Sequence, residues 1–238
     1  MMIKEIKSAF TENKWAIIVS IAILFISLIL GYFLEPYLYS YFNPVVEDLT
    51  QKVQSGVIKL TFHDIFLNNL KVILMMFIFG IGCCISVLVL LFNGFFVGYY
   101  VASEDNLLTV LMYIIPHGIF EFSSCILACA SGIVLFNFVY KFLKATLNQN
   151  EGSISQRVSK SLDESYIKLK QALIIFAVSV VLMIIAGFIE VYLTVPIANY
   201  VLSTMIADCS FYAQWILIEP FSGIGLCPPI LLLKESTN

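Results

Sequence analysis

The sequence predicts an all-α fold, a polytopic transmembrane helical bundle, from three observations. Hydrophobic residues make up 60% of the 238 residues and charged residues only 12%, about half the charged share of a soluble domain. Mean hydropathy is +0.95. The charges fall in gaps between uncharged runs of the length a helix needs to cross the hydrocarbon core, about 20 residues. A chain this poor in charge cannot cover a water-facing surface, but it can cover a lipid-facing one. The expectation is one integral membrane domain over 1–238, with about five spans, broken or re-entrant helices, and interfacial amphipathic helices.

The first span follows a basic stretch. Residues 1–14 carry Lys4, Lys7 and Lys14, as the n-region of a signal peptide does. Trp15–Leu34 then runs uncharged for 20 residues, longer than the usual 7–15-residue signal core, and no A-x-A site follows. It reads as a retained span with Trp15 and Tyr32 as interfacial anchors. Residues 35–71 are polar and mixed. Asn43-Pro44 reads as an N-cap and first helical position. Val46, Leu49 and Val53 line one face behind it, and Gly56 ends it. A second amphipathic stretch, Ile58 to Asn69, follows, and both are expected on the membrane surface.

Val72–Ala102 is uncharged over 31 residues, about 46 Å as helix and too long for one straight span. The turn-type pair Asn93-Gly94 predicts a break there, leaving a span over 72–91. After Ser103-Glu104-Asp105-Asn106, the run Leu107–Tyr140 is apolar except for His117 and Glu121. Pro116 suits the first position of a helix, so a span over 116–141 is expected. Within 141–171, Ile154, Val158 and Leu162 predict an amphipathic helix. Ala172–Tyr200 is the next long span, interrupted by Glu190 and closed by Pro196. The tail from 201 could be a sixth span, a re-entrant piece or a surface cover.

Charge asymmetry predicts the orientation. The N-terminal stretch has three lysines, and 141–171 holds six of the 13 basic residues, so both are expected in the cytoplasm. Segment 35–71, with Glu35, Glu47, Asp48 and Asp64 against three lysines, is expected to be an extracytoplasmic loop. An odd number of crossings must then lie between 71 and 141. Three is natural, and a re-entrant hairpin over 72–102 with one crossing after it is the alternative.

The residues that invite a functional reading sit inside these spans. His117 and Glu121 are four apart and stack on one helix face, which continues through Ser124, Ala128 and Gly132. Small residues let helices approach closely in lipid, so this face is expected against another helix. Gly94 and Gly98 have the same spacing, and Gly118 adjoins His117. An acidic side chain at a span centre costs about 2.5–3.5 kcal/mol on insertion scales, so Glu121 and Glu190 need a reason. Three readings compete: structural groups that are protonated or paired, the lining of an ion or substrate path, or metal ligands with His117. Asn69 and Asn93 are amides suited to capping or interhelical bonding and complete the expected intramembrane polar cluster.

Other classes fare poorly. The chain has two histidines and no H-E-x-x-H, which excludes that type of zinc protease. Ser131-Gly132 lacks the G-x-S-x-G context of a serine hydrolase. The six cysteines, Cys83, Cys84, Cys125, Cys129, Cys209 and Cys227, form no CxxC and read as small hydrophobes. No basic patch with interleaved aromatics suggests nucleic acid. No catalytic, metal or cofactor site is expected.

Four segments in order carry a family resemblance: Thr61-Phe62-His63-Asp64-Ile65-Phe66-Leu67-Asn68-Asn69-Leu70-Lys71-Val72 before a glycine-marked span; Asn93-Gly94 followed by Gly98; Pro116-His117-Gly118-Ile119-Phe120-Glu121 trailed by Ala128 and Gly132; and Ile189-Glu190 with Thr194 and Pro196. Together they resemble the stage II sporulation protein M family over about 60–200. One extra residue between Thr194 and Pro196 departs from the usual Thr-Pro. The resemblance implies a polytopic protein, commonly of five spans. In spore-forming bacteria the namesake anchors partner enzymes that degrade peptidoglycan during engulfment and is not itself the hydrolase. The resulting expectation is a multi-pass cell-membrane protein with a cytoplasmic N-terminus, non-enzymatic. It would act as a scaffold touching lipids and either a second copy or membrane and extracytoplasmic partners. A transporter or channel using the Glu and His residues is the alternative.

Overall fold

The computed structural model describes residues 2–55, 61–82, 84–104, 106–148 and 154–204. In chain order these form α1 (Met2–Glu12), α2 (Lys14–Gln54), α3 (Phe62–Ile78), a 3-10 turn (Phe79–Gly82), α4 (Cys84–Ser103), α5 (Leu107–Asn148) and α6 (Ile154–Tyr192). Helix resumes over 194–204 after a turn at Leu193. No strand occurs among the described residues, so the chain is all-α as expected. Five stretches are long and apolar enough to cross a membrane: Lys14–Asp48, Phe62–Gly82, Ile85–Ser103, Leu107–Leu147 and Ser165–Tyr192. The second of them begins at Phe62, inside the stretch 35–71 expected as a loop.

Several expected breaks move. Asn93-Gly94 is not a turn; α4 runs through it. The Asn93 amide donates to the Val89 carbonyl at 2.8 Å on its own helix, and Gly94 is used for close packing against α2. The break lies earlier, where Phe79-Gly80-Ile81-Gly82 tightens into the 3-10 turn and two glycines weaken the helix. The spans expected at 72–91 and 93–115 are therefore 62–82 and 85–103. Pro116 does not start a helix but lies inside α5. The start is set by Asn106, whose side-chain oxygen accepts the Thr109 N–H at 3.1 Å.

The amphipathic segments also differ. Asn43-Pro44 does not begin a helix, because α2 continues through Pro36 and Pro44. Asn43 instead donates to Glu47 at 2.8 Å along the helix surface. The Ile58–Asn69 stretch is no separate surface helix: Thr61 caps α3, accepting the Asp64 N–H, and α3 is continuous with a spanning stretch. Ile58 and Gly56 lie outside the described residues. The helix expected around 154–162 is present as the first part of α6. Pro196 fits the interruption at Leu193, since it has no N–H to offer the Tyr192 carbonyl. Of the tail, 201–204 is helical; Cys83, Cys209 and Cys227 fall outside the described residues.

The core is built on α5. From Ser124 to Leu135 ten of the twelve residues are buried, and most are small. Two apolar clusters flank them. One joins Leu24, Ile73, Met76, Leu90, Ala128 and Met183; the other joins Ala9, Leu127, Val134, Leu135, Ala172 and Ile175. The α5–α6 and α2–α4 pairs make the most extensive contacts. The lipid-facing sides of α2, α3 and α6 carry exposed Phe25, Ile29, Ile78, Val181 and Phe188, the arrangement expected where hydrocarbon is the solvent.

Candidate functional site

Two polar seams join α5 to the end of the chain's described part. At the deeper one, Ser124 donates to the Ser179 carbonyl at 2.8 Å and Ser179 donates to the Ser124 carbonyl at 2.7 Å. Both serines are buried. At the other, the His117 ring Nδ1 lies 3.2 Å from Thr194 Oγ1, and Thr194 Oγ1 donates to the Ile189 carbonyl at 3.1 Å. The threonine hydrogen is committed to Ile189, so the imidazole donates from Nδ1–H. A neutral ring then has its free acceptor at Nε2. Nearby, the Tyr113 hydroxyl donates to Asn199 at 3.2 Å.

Glu121 lies one turn beyond His117 on α5, and its carboxyl is within electrostatic reach of Glu190 on α6. Both are half-buried. Glu190 thus lies in the neighbourhood of Glu121, while His117 is tied to Thr194, four residues beyond Glu190. No hydrogen bond joins His117 to Glu121 among the described residues; the partner of the imidazole is Thr194. An imidazole and two carboxyls can hold and exchange protons. Among the described residues no group of three His, Cys, Asp or Glu side chains is placed to hold a metal ion. Cys125 and Cys129 are buried in the core.

The remaining candidates lie elsewhere. Asn69 is half-buried on α3, and the Asn93 amide bonds within α4. Gly94 and Gly98 are packing residues of the α2–α4 crossing. A Cβ on Gly94 would meet the Leu24 carbonyl at 3.0 Å, and one on Gly98 would meet the Tyr32 N at 3.0 Å. Gly132 faces the 3-10 turn, where a Cβ would lie 2.6 Å from the Met76 carbonyl oxygen and 2.7 Å from Ser86 Oγ. Ala128 is fully buried in the core. Gly118 makes no such approach: a Cβ there would meet only Ile114 and Phe122 of its own helix. It lines an apolar groove of about 330 Å3 with Leu28, Tyr32, Val97 and Phe122. A second groove, of about 740 Å3, lies among Leu30, Val72, Leu88 and Phe92. Neither groove includes His117, Glu121 or Glu190.

Sequence reasoning missed the partners. Ser179 was the readable one, a lone hydroxyl within an otherwise apolar run. It also missed a polar network at the opposite end of the bundle. There Asn13 donates to Gln171 at 2.9 Å, Gln171 donates to Glu12 at 2.7 Å, and Lys168 donates to Gln171 at 2.8 Å. Lys170 pairs with Glu5 at 2.7 Å. These bonds dock α1 onto α6. The signal was the spacing of Ile6, Ala9, Phe10 and Asn13, an inward face on a helix.

The family model described as "SpoIIM: Stage II sporulation protein M" matches residues 17–195. The chain is similar to two proteins of Methanocaldococcus jannaschii. It is 36% identical to "Uncharacterized protein MJ0793" over 151 residues, 61% of this chain and 78% of that one. It is 29% identical to "Uncharacterized protein MJ0706" over 212 residues, 84% of this chain and 91% of that one. No solved structure matches the chain.

Proposed function

The chain belongs to the stage II sporulation protein M family, and from that premise we propose that it is a non-enzymatic membrane scaffold. In this reading a rigid integral bundle holds partner proteins, or a second copy of itself, at the membrane. The observation that carries it is the way the interhelical hydroxyls close on each other. Ser124 and Ser179 satisfy one another across α5 and α6, and His117 is tied to Thr194. Such groups fix helix positions. The grooves between the spans are apolar, which suits lipid or protein contact better than passage of an ion. The basic N-terminal stretch and the basic segment after Tyr140 favour a cytoplasmic N-terminus.

The test is recovery of the full chain from its native membrane in mild detergent, with mass measurement of the particle. A stoichiometric partner or a homo-oligomer is expected. A strictly monomeric, partnerless particle would overturn the scaffold reading.

One observation favours a transporter instead: Glu121 and Glu190 sit within electrostatic reach in the spanning part, where carboxyls are costly. Proteoliposome flux separates the two. Proton or cation flux abolished by Glu121→Gln and by Glu190→Gln would establish the transporter. Absence of flux in the wild type, with both variants changed only in stability, fits the scaffold.

A further inference from the structure

The α1–α6 junction carries a feature that the proposed function does not use. A groove of about 320 Å3 opens between the two helices, lined by Lys4, Glu5 and Ser8 of α1 and by Ile167, Lys170, Gln171 and Ile174 of α6. Its depth in the membrane is set by the sequence. Gln171 is the last polar residue before the uncharged run from Ala172 to Ile189, apart from Ser179, and α1 ends just before the uncharged run that Trp15 begins. The groove therefore lies where hydrocarbon meets water. Ile167 and Ile174 make its apolar lip, and of its charged lining Lys170 is paired with Glu5 while Lys4 has no ion pair among the described residues.

We propose that this groove is a headgroup site for an anionic phospholipid, whose phosphodiester lies between Lys4 and Lys170 while the start of an acyl chain lies along Ile174. Charge complementarity names the occupant. Residues 2–14 and 165–174 hold five lysines (Lys4, Lys7, Lys14, Lys168 and Lys170) against two glutamates, Glu5 and Glu12. Glu5 takes up part of the Lys170 charge at 2.7 Å. Lys4 is exposed and makes no ion pair among the described residues, which leaves its ammonium available for a phosphate. Basic pockets beside spanning helices on the basic-rich side of a membrane suit acidic headgroups. A soluble phosphate would use only the lysines. A lipid also uses the apolar lip, which is why the geometry favours a lipid. A zwitterionic headgroup would bring its own cation against Lys4. The site does not depend on the scaffold reading and would hold equally for a transporter.

The experiment is native mass spectrometry and thermal unfolding of the detergent-purified full chain. It is titrated separately with phosphatidylglycerol, phosphatidylcholine and inorganic phosphate. Phosphatidylglycerol is expected to be retained and to raise the unfolding midpoint, the other two not. Lys4→Gln should weaken phosphatidylglycerol retention about fivefold, the ratio expected for about 1 kcal/mol per lysine near a membrane surface. Lys4→Arg should restore it, and Lys52→Gln, far along α2, should leave it unchanged. Lys4 is exposed and makes no ion pair among the described residues, so the variant is expected to keep the wild-type helix content and unfolding midpoint without lipid. Equal retention of phosphatidylcholine, or an equal midpoint shift with inorganic phosphate, would overturn the proposal. So would equal losses in Lys4→Gln and Lys52→Gln, or a Lys4→Gln variant with unimpaired retention.

Discussion

Ser124 and Ser179 exchange hydrogen bonds in both directions, each hydroxyl donating to the other residue's backbone carbonyl, at 2.8 and 2.7 Å. The two hydroxyl oxygens are themselves 3.0 Å apart. The pair fixes the register of α5 against α6 at one level, in a medium where a stray hydroxyl has no water to turn to. Its energetic signature is coupling rather than a large single loss, because each carbonyl keeps its own helix hydrogen bond. Ser124→Ala and Ser179→Ala are each expected to destabilise modestly. The double variant should fall short of their sum by about 0.6–1.7 kcal/mol, the range seen for interhelical hydrogen bonds in membranes. A double-mutant cycle by denaturant titration in detergent measures this, and strict additivity would remove the pair as a register device.

Gly132 has a different role, set by contact distance. A Cβ added there would meet the Met76 carbonyl oxygen at 2.6 Å and Ser86 Oγ at 2.7 Å, and one of these is backbone that cannot swing aside. Gly132→Ala should therefore push α5 away from α3 and α4 and lower stability by about 1–3 kcal/mol, the range for overpacking a filled core. A Gly132→Ala variant with an unchanged unfolding midpoint would show that α3 and α4 have room to move.

The docking of α1 should depend on pH. The Glu12 carboxyl is held below the ordinary carboxylate range, chiefly by the Gln171 amide, then by Ser8, with Lys168 adding charge. A carboxyl whose folded pKa is lowered stabilises the fold in its ionised form. That contribution is full above the unfolded value, near 4.5, and is lost as pH falls through the lowered folded value. The protection factors of the amides of residues 2–13, relative to their intrinsic exchange rates, should accordingly fall below about pH 4.5, the added protection at neutral pH being absent in Glu12→Gln. Identical pH profiles for the wild type and Glu12→Gln would place the docking elsewhere.

The solvent made much of this fold readable. Uncharged runs and charge gaps gave an all-α chain with five stretches long and apolar enough to span, because lipid tolerates few alternatives. The inward face from Ser124 to Gly132 was legible for the same reason: a stripe of small side chains has no use against acyl chains. Helix breaks were not legible. In lipid a glycine either weakens a helix or lets a neighbour close in, and the letter is the same for both. Gly82 does the first, since the helix tightens there with room around it, Gly94 does the second, and Gly80 does both, because a Cβ there would lie 2.6 Å from the Gly132 carbonyl oxygen. Partners across helices were also hidden. His117 was paired by spacing with Glu121, yet its hydrogen bond goes to Thr194, 77 residues away, through a crossing that no local pattern encodes. The docking of α1 was obscured by its lysines, which drew the reading to charge and orientation and away from the Ile6–Ala9–Phe10–Asn13 face.

The two roles of glycine separate in one comparison. At Gly94 a Cβ would press on the Leu24 carbonyl at 3.0 Å and on its Cδ1 at 3.1 Å, and would run into Ser27 Oγ more closely still. At Gly82 it would meet only the flexible Ile85 side chain, at 3.5 Å. Gly94→Ala should therefore lower stability by about 1–3 kcal/mol through forced separation of α2 and α4. Gly82→Ala should change it by about 1 kcal/mol or less, the packing cost being absent and only helix propensity altered. A turn at 93–94 makes the opposite forecast, since exposed turn residues have room for a methyl group. Asn93→Ala sharpens the distinction: it removes a side chain that bonds only to Val89 on its own helix, and so should leave the α2–α4 contact intact. Unfolding midpoints of the three variants in one detergent decide the matter. A tolerant Gly94 beside a sensitive Gly82 would mean that α4 breaks at 93–94 and that the close packing of its glycines on α2 is wrong.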